Sequence, residues 1–203
     1  MRRPTSSSRV SEAPTIREQI LDRTIYLMGK LGTTDVPVRT IAREAGVNVA
    51  AVNYYFSSKE EMLSQAADRF LRGCKEVMKL LQTPGLRPEE RLRRWAAEVM
   101  HFLTEYPGVL VLMERQMAAE TADPFGTALR QAMRLALRQL KATLREVVGG
   151  TDEQRHNFKL TLLVSALAGP FPRYLDRGPE RRAFGSKDKR ARFLDLLLDH
   201  LRK

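Results

Sequence analysis

Residues 38–59 contain the pattern of two short helices, a turn between them and the start of another helix. In the first of these, apolar residues recur at three- and four-residue spacing, at Val38, Ile41, Ala42 and Ala45. This spacing predicts an amphipathic helix with one buried stripe. Gly46 follows where the chain must reverse, because glycine takes the left-handed conformation without a Cβ clash. The stretch therefore predicts a helix-turn-helix arrangement.

The next helix is predicted from Asn48 to Phe56, with Asn48 as its N-cap. At about 100° per residue, Val52 and Phe56 point to one side. The other side carries small, polar and aromatic residues, namely Ala50, Asn53 and Tyr54, with Val49 and Ala51 on the flanks. One face is therefore predicted to be core and the other to be exposed.

The exposed face has the chemistry of a surface that fits the major groove of DNA. Alanine and valine allow close approach, and their methyl groups pack well against a thymine methyl. Asparagine can form a bidentate hydrogen bond with the edge of an adenine. A short helix with this composition is also compatible with a surface helix of an ordinary helical bundle.

A further helix is predicted to start at Ser58, since Ser58 and Glu61 have the N-cap and N3 spacing of a capping box. Lys59 then lies in the first turn, where the helix dipole disfavours a cation. A DNA phosphate docked on the free N–H groups of that turn would explain the lysine. This feature favours the DNA-binding interpretation.

These residues resemble the tetracycline-repressor (TetR) family of bacterial transcription regulators, over roughly residues 15–70. The resemblance rests on Leu31-Gly32, on Val38-Arg39, Ile41-Ala42 and Ala45-Gly46-Val47, and on Asn53-Tyr54-Tyr55-Phe56 with Ser58-Lys59-Glu60. Two positions depart from the family: Asn53 stands where many members have Tyr, and Val36-Pro37 where Thr or Ser is common. Pro37 is expected at the first position of its helix.

The resemblance and the chemistry of the exposed face together assign the DNA contacts. Asn53 is expected to discriminate bases opposite an A·T pair, while Val49 and Ala50 set the close approach. The full predicted set is Arg39, Thr40, Asn48, Val49, Ala50, Ala51, Asn53, Tyr54, Tyr55 and Lys59. The resemblance also implies a homodimer on a palindromic operator in double-stranded DNA.

The whole chain is predicted to be all-α, without strand alternation or internal repeats. A capping box at Thr15 and Glu18 opens the first helix, whose inner face is predicted to carry Ile20, Thr24, Leu27, Met28 and Leu31. Later helices are predicted from Pro88, from Val109 to Ala119, from Asp123-Pro124 to Gly149-Gly150, from Thr151 capped with Gln154, and from Ser186 to Leu201.

Three regions follow from these signals. Residues 1–14 are predicted to be a disordered arm, and residues 15–62 a helix-turn-helix domain with helix four continuing to about residue 82 as a linker. Residues 85–203 are predicted to form a helical ligand-binding and dimerisation domain.

Composition agrees with a cytoplasmic DNA-binding protein that is not inserted in a membrane. The net charge of +11 favours attraction to polyanions. No run of about 18 apolar residues exists, and the N-terminus lacks the apolar region of a secretory signal. The single Cys74 fits a reducing compartment and a buried apolar position.

Catalytic and metal-binding patterns are not found in the sequence. The three histidines, His101, His156 and His200, are far apart, and none has a second histidine or a cysteine at metal-binding spacing. Walker, GxSxG and GxGxxG motifs are also missing. The sequence therefore predicts no enzyme activity, no cofactor and no metal.

Effector binding is an expectation from the resemblance, since family members usually bind a small molecule between helices of the C-terminal domain. Aromatic and methionine side chains suit such a pocket, and the candidates are Trp95, Phe102, Met113, Met117 and Met133. Each of these residues is also compatible with simple core packing.

The dimer is predicted to form through the last two long helices, around residues 155–175 and 187–202, in a four-helix bundle. The apolar stripes assigned to it are Leu160, Leu163, Val164, Leu167, Phe193, Leu196, Leu197 and His200.

The predicted function is a DNA-binding transcription regulator, a repressor whose operator binding is relieved by a small apolar or amphipathic effector. Two alternatives stay open. One is an effector-free architectural or cell-division protein of the same fold, favoured by a filled regulatory core. The other is a helical enzyme, favoured by a converging carboxylate or histidine pair in a pocket.

Overall fold

The computed structural model describes residues 14–106, 108–118, 124–169, 184 and 186–202, and every regular element within these ranges is helical. The helices are α1 (Ile16–Leu31), α2 (Val38–Glu44), α3 (Val49–Tyr55), α4 (Lys59–Lys79), α5 (Pro88–Glu105), α6 (Val109–Ala118), α7 (Pro124–Val148), α8 (Glu153–Ala168) and α9 (Lys187–Arg202), with a 3₁₀ turn at Leu80–Gln82. The all-α prediction is confirmed. Residues 1–13 of the predicted arm, together with Ala119 and Asp123, lie outside the described ranges.

The helices α1, α2 and α3 pack together, and their ends follow local capping chemistry. Thr15 and Glu18 form both halves of the predicted capping box. Asn48 Oδ1 accepts a hydrogen bond of 2.7 Å from the Ala51 N–H at the start of α3. Gly46, in the turn between α2 and α3, has a φ of +68°, as the helix-turn-helix prediction requires.

The long helix α4 starts at the predicted Ser58 cap, but the capping box is only half formed. Ser58 Oγ accepts a hydrogen bond of 3.1 Å from the Glu61 N–H. The Glu61 carboxylate, however, accepts a hydrogen bond of 2.9 Å from the N–H of Ser57 instead of Ser58. These contacts with Ser57 hold the pKa of Glu61 below its usual value, so the carboxylate stays charged.

A continuous hydrophobic core joins the N-terminal helices to the C-terminal ones. α4 contributes Met62, Ala66 and Phe70, and packs against α1 and α7. α5 crosses the C-terminal half and contacts α7, α8 and α9. Because α4 belongs to both halves, it fixes where the helix-turn-helix lies relative to the remaining bundle.

Three local predictions are wrong. Pro37 is the N-cap of α2 and does not occupy its first helical position. Leu31 is exposed at the end of α1, where the helix has turned its last residue away from the core. Asp152, not Thr151, caps α8, because the Asp152 carboxylate accepts a hydrogen bond of 3.0 Å from the Arg155 N–H.

Candidate nucleic-acid interface and ligand cavity

The exposed face of α3 carries the residues that the sequence assigns to it. Val52 and Phe56 are buried, whereas Val49, Ala50 and Asn53 are exposed. This division follows from the helical period, since the buried residues lie four positions apart. The result is a short helix with a small, polar surface that other helices leave uncovered.

Two tyrosines lie at the C-terminal end of α3, beside this face. Tyr54 is 81% exposed, and its ring meets the half-buried Tyr55 edge-on with centroids 5.1 Å apart. Of the other predicted contacts, Arg39 and Asn48 are exposed, whereas Thr40 and Ala51 are half-buried. The side-chain Oδ1 of Asn48 already accepts the capping hydrogen bond at the start of α3. The N–H₂ of the same side chain is therefore the group left for another partner.

Lys59 is close to the same surface but has an intramolecular partner. Its ammonium forms an ion pair with the Asp35 carboxylate in the turn between α1 and α2. Asp35 is highly exposed, whereas Lys59 is only 30% exposed. The prediction that Lys59 contacts a phosphate therefore involves competition between that phosphate and Asp35.

Ionic contacts attach α1 to α4 and so hold the helix-turn-helix in place. Arg69 of α4 binds both carboxylate oxygens of Asp22, at 2.7 and 3.2 Å. Asp22 raises the pKa of Arg69, and the pair is only partly exposed. In the first turn of α1, Arg17 lies over the ring of Phe56, the C-cap of α3, 5.5 Å from the ring centroid.

A cavity of about 400 Å³ lies among α4, α5, α6, α7 and α8. Its wall is almost entirely apolar and includes the predicted Trp95, Phe102, Met113 and Met133. Met117 is not part of the lining; it is exposed near the end of α6. The remaining lining includes Cys74, Val77, Met78, Val99, Leu103, Leu110, Ala132, Ala136, Leu140, Val164, Leu167 and Ala168.

Cys74 lies in the wall of this cavity, as a small apolar residue would. Burial raises the pKa of its thiol to about 11. Trp95 is also held in the wall, because its indole N–H donates to the Met78 sulfur at 3.3 Å. Among the described lining residues there is no Asp, Glu or His.

The turn between α5 and α6 connects the cavity with α1. The Phe102 ring in the cavity wall stacks on Tyr106, with centroids 4.9 Å apart. Two residues further, Gly108 is so close to α1 that a Cβ at this position would lie 2.6 Å from the Gly29 oxygen. Arg115 of α6 donates a hydrogen bond of 2.6 Å to the Gly32 oxygen.

The predicted dimer residues on α8 and α9 divide between two environments. Leu163, Leu167 and Leu197 are buried within the subunit, so their assignment to a surface is wrong. Leu160 and Phe193 are half-buried against the same core. Val164, Leu196 and His200 are exposed, and Leu196 is 72% exposed.

The exposed apolar stripe of α8 is a different one from that predicted. Phe158 is 64% exposed and Leu162 is also exposed, one helical turn apart on the same side. The four-residue spacing of Phe158 and Leu162 is the signal in the sequence that indicates this second apolar face. A hydrogen bond of 2.9 Å from Lys159 Nζ to the His200 oxygen holds α8 beside α9.

Within the described residues, no helix is long and apolar enough to cross a membrane, and no cluster of side chains has the composition of a metal site. The three histidines stay apart: His156 is buried, whereas His101 and His200 are exposed.

Comparison with known proteins agrees with the helix-turn-helix geometry of the N-terminal helices. Residues 20–66 match the profile of the family described as bacterial regulatory proteins, tetR family. The N-terminal helices of this chain are therefore similar to the DNA-binding domain of the TetR family. A curated relative is the HTH-type transcriptional regulator BetI of Stenotrophomonas maltophilia, 35% identical over 81 residues, which are 39% of this chain and 41% of that protein. The chain thus spans about two fifths of the length of the curated relatives that it matches.

Solved structures of TetR-family proteins resemble the full chain. The TetR-family regulator PfmR from Thermus thermophilus covers 92% of this chain and 97% of its own, with a TM-score of 0.60 and 23% identity, which supports the fold alone. A TetR transcriptional regulator from Streptomyces coelicolor covers 92% of this chain and 98% of its own, with a TM-score of 0.52 and 27% identity. The TetR fold therefore extends beyond the N-terminal domain.

Proposed function

We propose that this protein is a homodimeric transcriptional repressor, which binds a near-palindromic DNA operator through α3 and is released by a small molecule bound in the cavity. The observation that carries the proposal is the uncovered face of α3 on a TetR-family helix-turn-helix domain. Its small residues permit close approach to a groove, and Asn53 offers base-edge hydrogen bonds. Arg39, Tyr54 and Lys59 are the side chains proposed to flank it on the phosphates.

Dimerisation is proposed because one α3 covers only a few base pairs. A two-fold dimer doubles the site and gives it the symmetry of an operator. The stripe of Phe158 and Leu162 on α8 and the exposed Leu196 on α9 supply an apolar surface for this contact. These three residues replace the buried leucines as the proposed centre of the interface.

The cavity supports ligand control over the effector-free architectural alternative. An architectural protein would be expected to have a filled regulatory core, whereas a volume of about 400 Å³ lies within the range of small-molecule sites. The described lining also lacks the converging carboxylate or histidine pair that would favour an enzyme. The relatives found by comparison are named as transcriptional regulators.

Release requires that a ligand bind the DNA-incompetent arrangement of the dimer more tightly than the competent one. Two routes connect the cavity with the N-terminal domain. One is α4, which lines the cavity near its end and begins at Lys59. The other is α6, which lines the cavity with Leu110 and Met113 and touches α1 through Arg115.

The test combines ligand binding and DNA binding in one titration. DNA flanking the protein's own gene is labelled, and hydrophobic compounds are added while Trp95 fluorescence and DNA anisotropy are followed together. The proposal predicts a compound that fills the cavity and weakens DNA binding by about 5- to 150-fold, the usual range of allosteric coupling. A protein that binds this DNA but is released by no compound from a broad library would favour the architectural alternative.

A further inference from the structure

The wall of the cavity has an apolar interior and a basic rim. Trp95, Leu103 and Leu140 form part of the interior and are almost fully buried. The lining residues that are exposed mark where the cavity meets solvent, and they include Lys75, Lys79, Gln82, Leu135 and Leu137. A ligand that matches both parts must have an apolar body and a polar end.

The two lysines of the rim lie on one side of α4. Their four-residue spacing places them one helical turn apart, and both line the cavity. Lys79 is paired with Glu76 at 2.6 Å, but both side chains are about two-thirds exposed, so this pair is weak. Lys75 has no ion pair within the part of the chain that the structure describes. At least one ammonium is thus open to a ligand.

The surroundings of the rim favour anions over cations. The stretches 72–82 and 132–140, which contribute lining residues from α4 and α7, contain five basic residues and one acidic residue. The basic residues are Arg72, Lys75, Lys79, Arg134 and Arg138, and the acidic one is Glu76. Such an imbalance produces a positive local potential that attracts anionic ligands to the mouth.

A cationic ligand would find aromatic rings but no carboxylate among the described residues that line the cavity. Trp95 and Phe102 are in the wall, and aromatic faces can bind ammonium groups. The Phe102 ring, however, is already in contact with the rings of Phe70 and Tyr106. Without an acidic lining residue, a buried cation would lose its hydration with little compensation.

We infer that the cavity binds an amphipathic carboxylate, with its apolar tail in the interior and its carboxylate at Lys75 and Lys79. This inference rests on the proposed function and names the ligand class of that same cavity. Carboxylate binding by an exposed ammonium is a weak contact, so the tail supplies most of the affinity and the lysines supply the preference for charge.

The experiment compares decanoate, decanol and decyltrimethylammonium, which share one chain length and differ in the head group. Each is titrated into the full-length protein without DNA, at constant ionic strength and below the micelle concentration, with Trp95 fluorescence as the readout. Decanoate is expected to bind more tightly than decanol by about 1.4- to 5-fold per lysine, and the ammonium compound least tightly. Occupancy is checked independently, since bound decanoate should slow the disulfide exchange of Cys74 with dithiodipyridine.

Matched variants assign the preference to the rim. Lys75→Gln and Lys79→Gln should each weaken decanoate binding by about 1.4- to 5-fold and leave decanol binding unchanged. Lys187→Gln removes the same charge from an exposed site on α9 and should change neither. The inference is overturned if the three probes bind equally, if the ammonium compound binds more tightly, or if none of them binds. It is also overturned if the lysine variants weaken decanol binding as much as decanoate binding.

The ligand class and the proposed function fail in different ways. If decanoate does not bind but another compound releases the DNA, the ligand class is wrong and ligand control stands. If decanoate binds with the expected preference and leaves DNA affinity unchanged at saturation, the ligand class stands, but decanoate does not release the protein from DNA. The fluorescence and DNA titrations separate these results.

Discussion

The guanidinium of Arg115 donates a hydrogen bond of 2.6 Å to the backbone oxygen of Gly32, across the junction between α6 and α1. Gly32 is the C-cap of α1 and has a φ of +64°, so Arg115 also places a cation at the negative end of that helix. The cavity residues Leu110 and Met113 lie on the same α6. One helix thus touches both the ligand cavity and the N-terminal domain.

Gly108→Ala tests how tightly α6 is held against α1. The new Cβ would lie 2.6 Å from the Gly29 oxygen, at a residue whose φ is +86°. Gly85→Ala is the matched control, because its φ is +76° and nothing lies within 4 Å of the added Cβ. We expect about 1–2 kcal/mol of backbone strain in the control and a further 1–3 kcal/mol or so in Gly108→Ala, measured by urea unfolding. An equal loss of unfolding free energy in the two variants would show that α6 is not held tightly against α1.

Asp35→Asn tests whether Asp35 restrains Lys59. Removing the carboxylate frees the ammonium for a phosphate, so binding to a mixed-sequence duplex should tighten by about 2- to 5-fold. Lys59→Gln should weaken that binding and lower the slope of log affinity against log salt by about one. Glu98→Gln controls for net charge, because Glu98 is exposed on α5. If Asp35→Asn tightens binding equally in the Lys59→Gln background, the two residues act independently.

Glu153 predicts a pH dependence of stability. Lys141 and Arg145 lower its pKa to about 2, from an ordinary value near 4.5. Since the folded pKa is the lower one, this contribution is present above pH 4.5 and is lost as the pH falls towards 2. Glu153→Gln should therefore lower the Tm at pH 7, and the difference from the wild type should shrink below pH 4.5. A difference that stays constant over that interval would contradict the assignment.

Leu196→Arg tests the proposed interface without disturbing the subunit core. Leu196 is 72% exposed, whereas Leu197 is buried, so a charge at Leu197 would unfold the subunit and be uninformative. We expect Leu196→Arg to shift the protein from dimer to monomer in sedimentation, with unchanged helical circular dichroism. Ile16→Arg adds the same charge at an exposed apolar site on α1 and should leave the dimer intact. A dimeric Leu196→Arg protein would place the interface elsewhere.

Local chemistry made much of the fold predictable. Thr15 and Glu18 are three residues apart, Gly46 takes a positive φ, and Pro88 starts α5, all as expected from the sequence. The inward and outward faces of α3 also followed from helical periodicity alone. Val52 and Phe56, the residues that are buried, are large apolar residues four positions apart. Such features depend on residues within one or two turns of each other.

Features that depend on distant packing were not predictable. α8 has two apolar stripes, and only the contacts of α8 with α7, α9 and α5 decide that Leu163 is buried and Phe158 is exposed. The ion pair of Lys59 joins it to Asp35, 24 residues earlier, which no local pattern reveals. The cavity likewise depends on how five helices meet, so the sequence indicated suitable residues but wrongly included Met117.

The most direct test of the account is selection of binding sites from random DNA by the wild type and by Asn53→Ala. We expect a near-palindromic sequence with an A·T pair opposite Asn53 in each half-site. The variant should lose about 1–3 kcal/mol of binding free energy and become tolerant of other bases at that symmetric pair of positions only. If Asn53→Ala selects the same sequence as the wild type with the same preference, α3 does not read DNA in the proposed way.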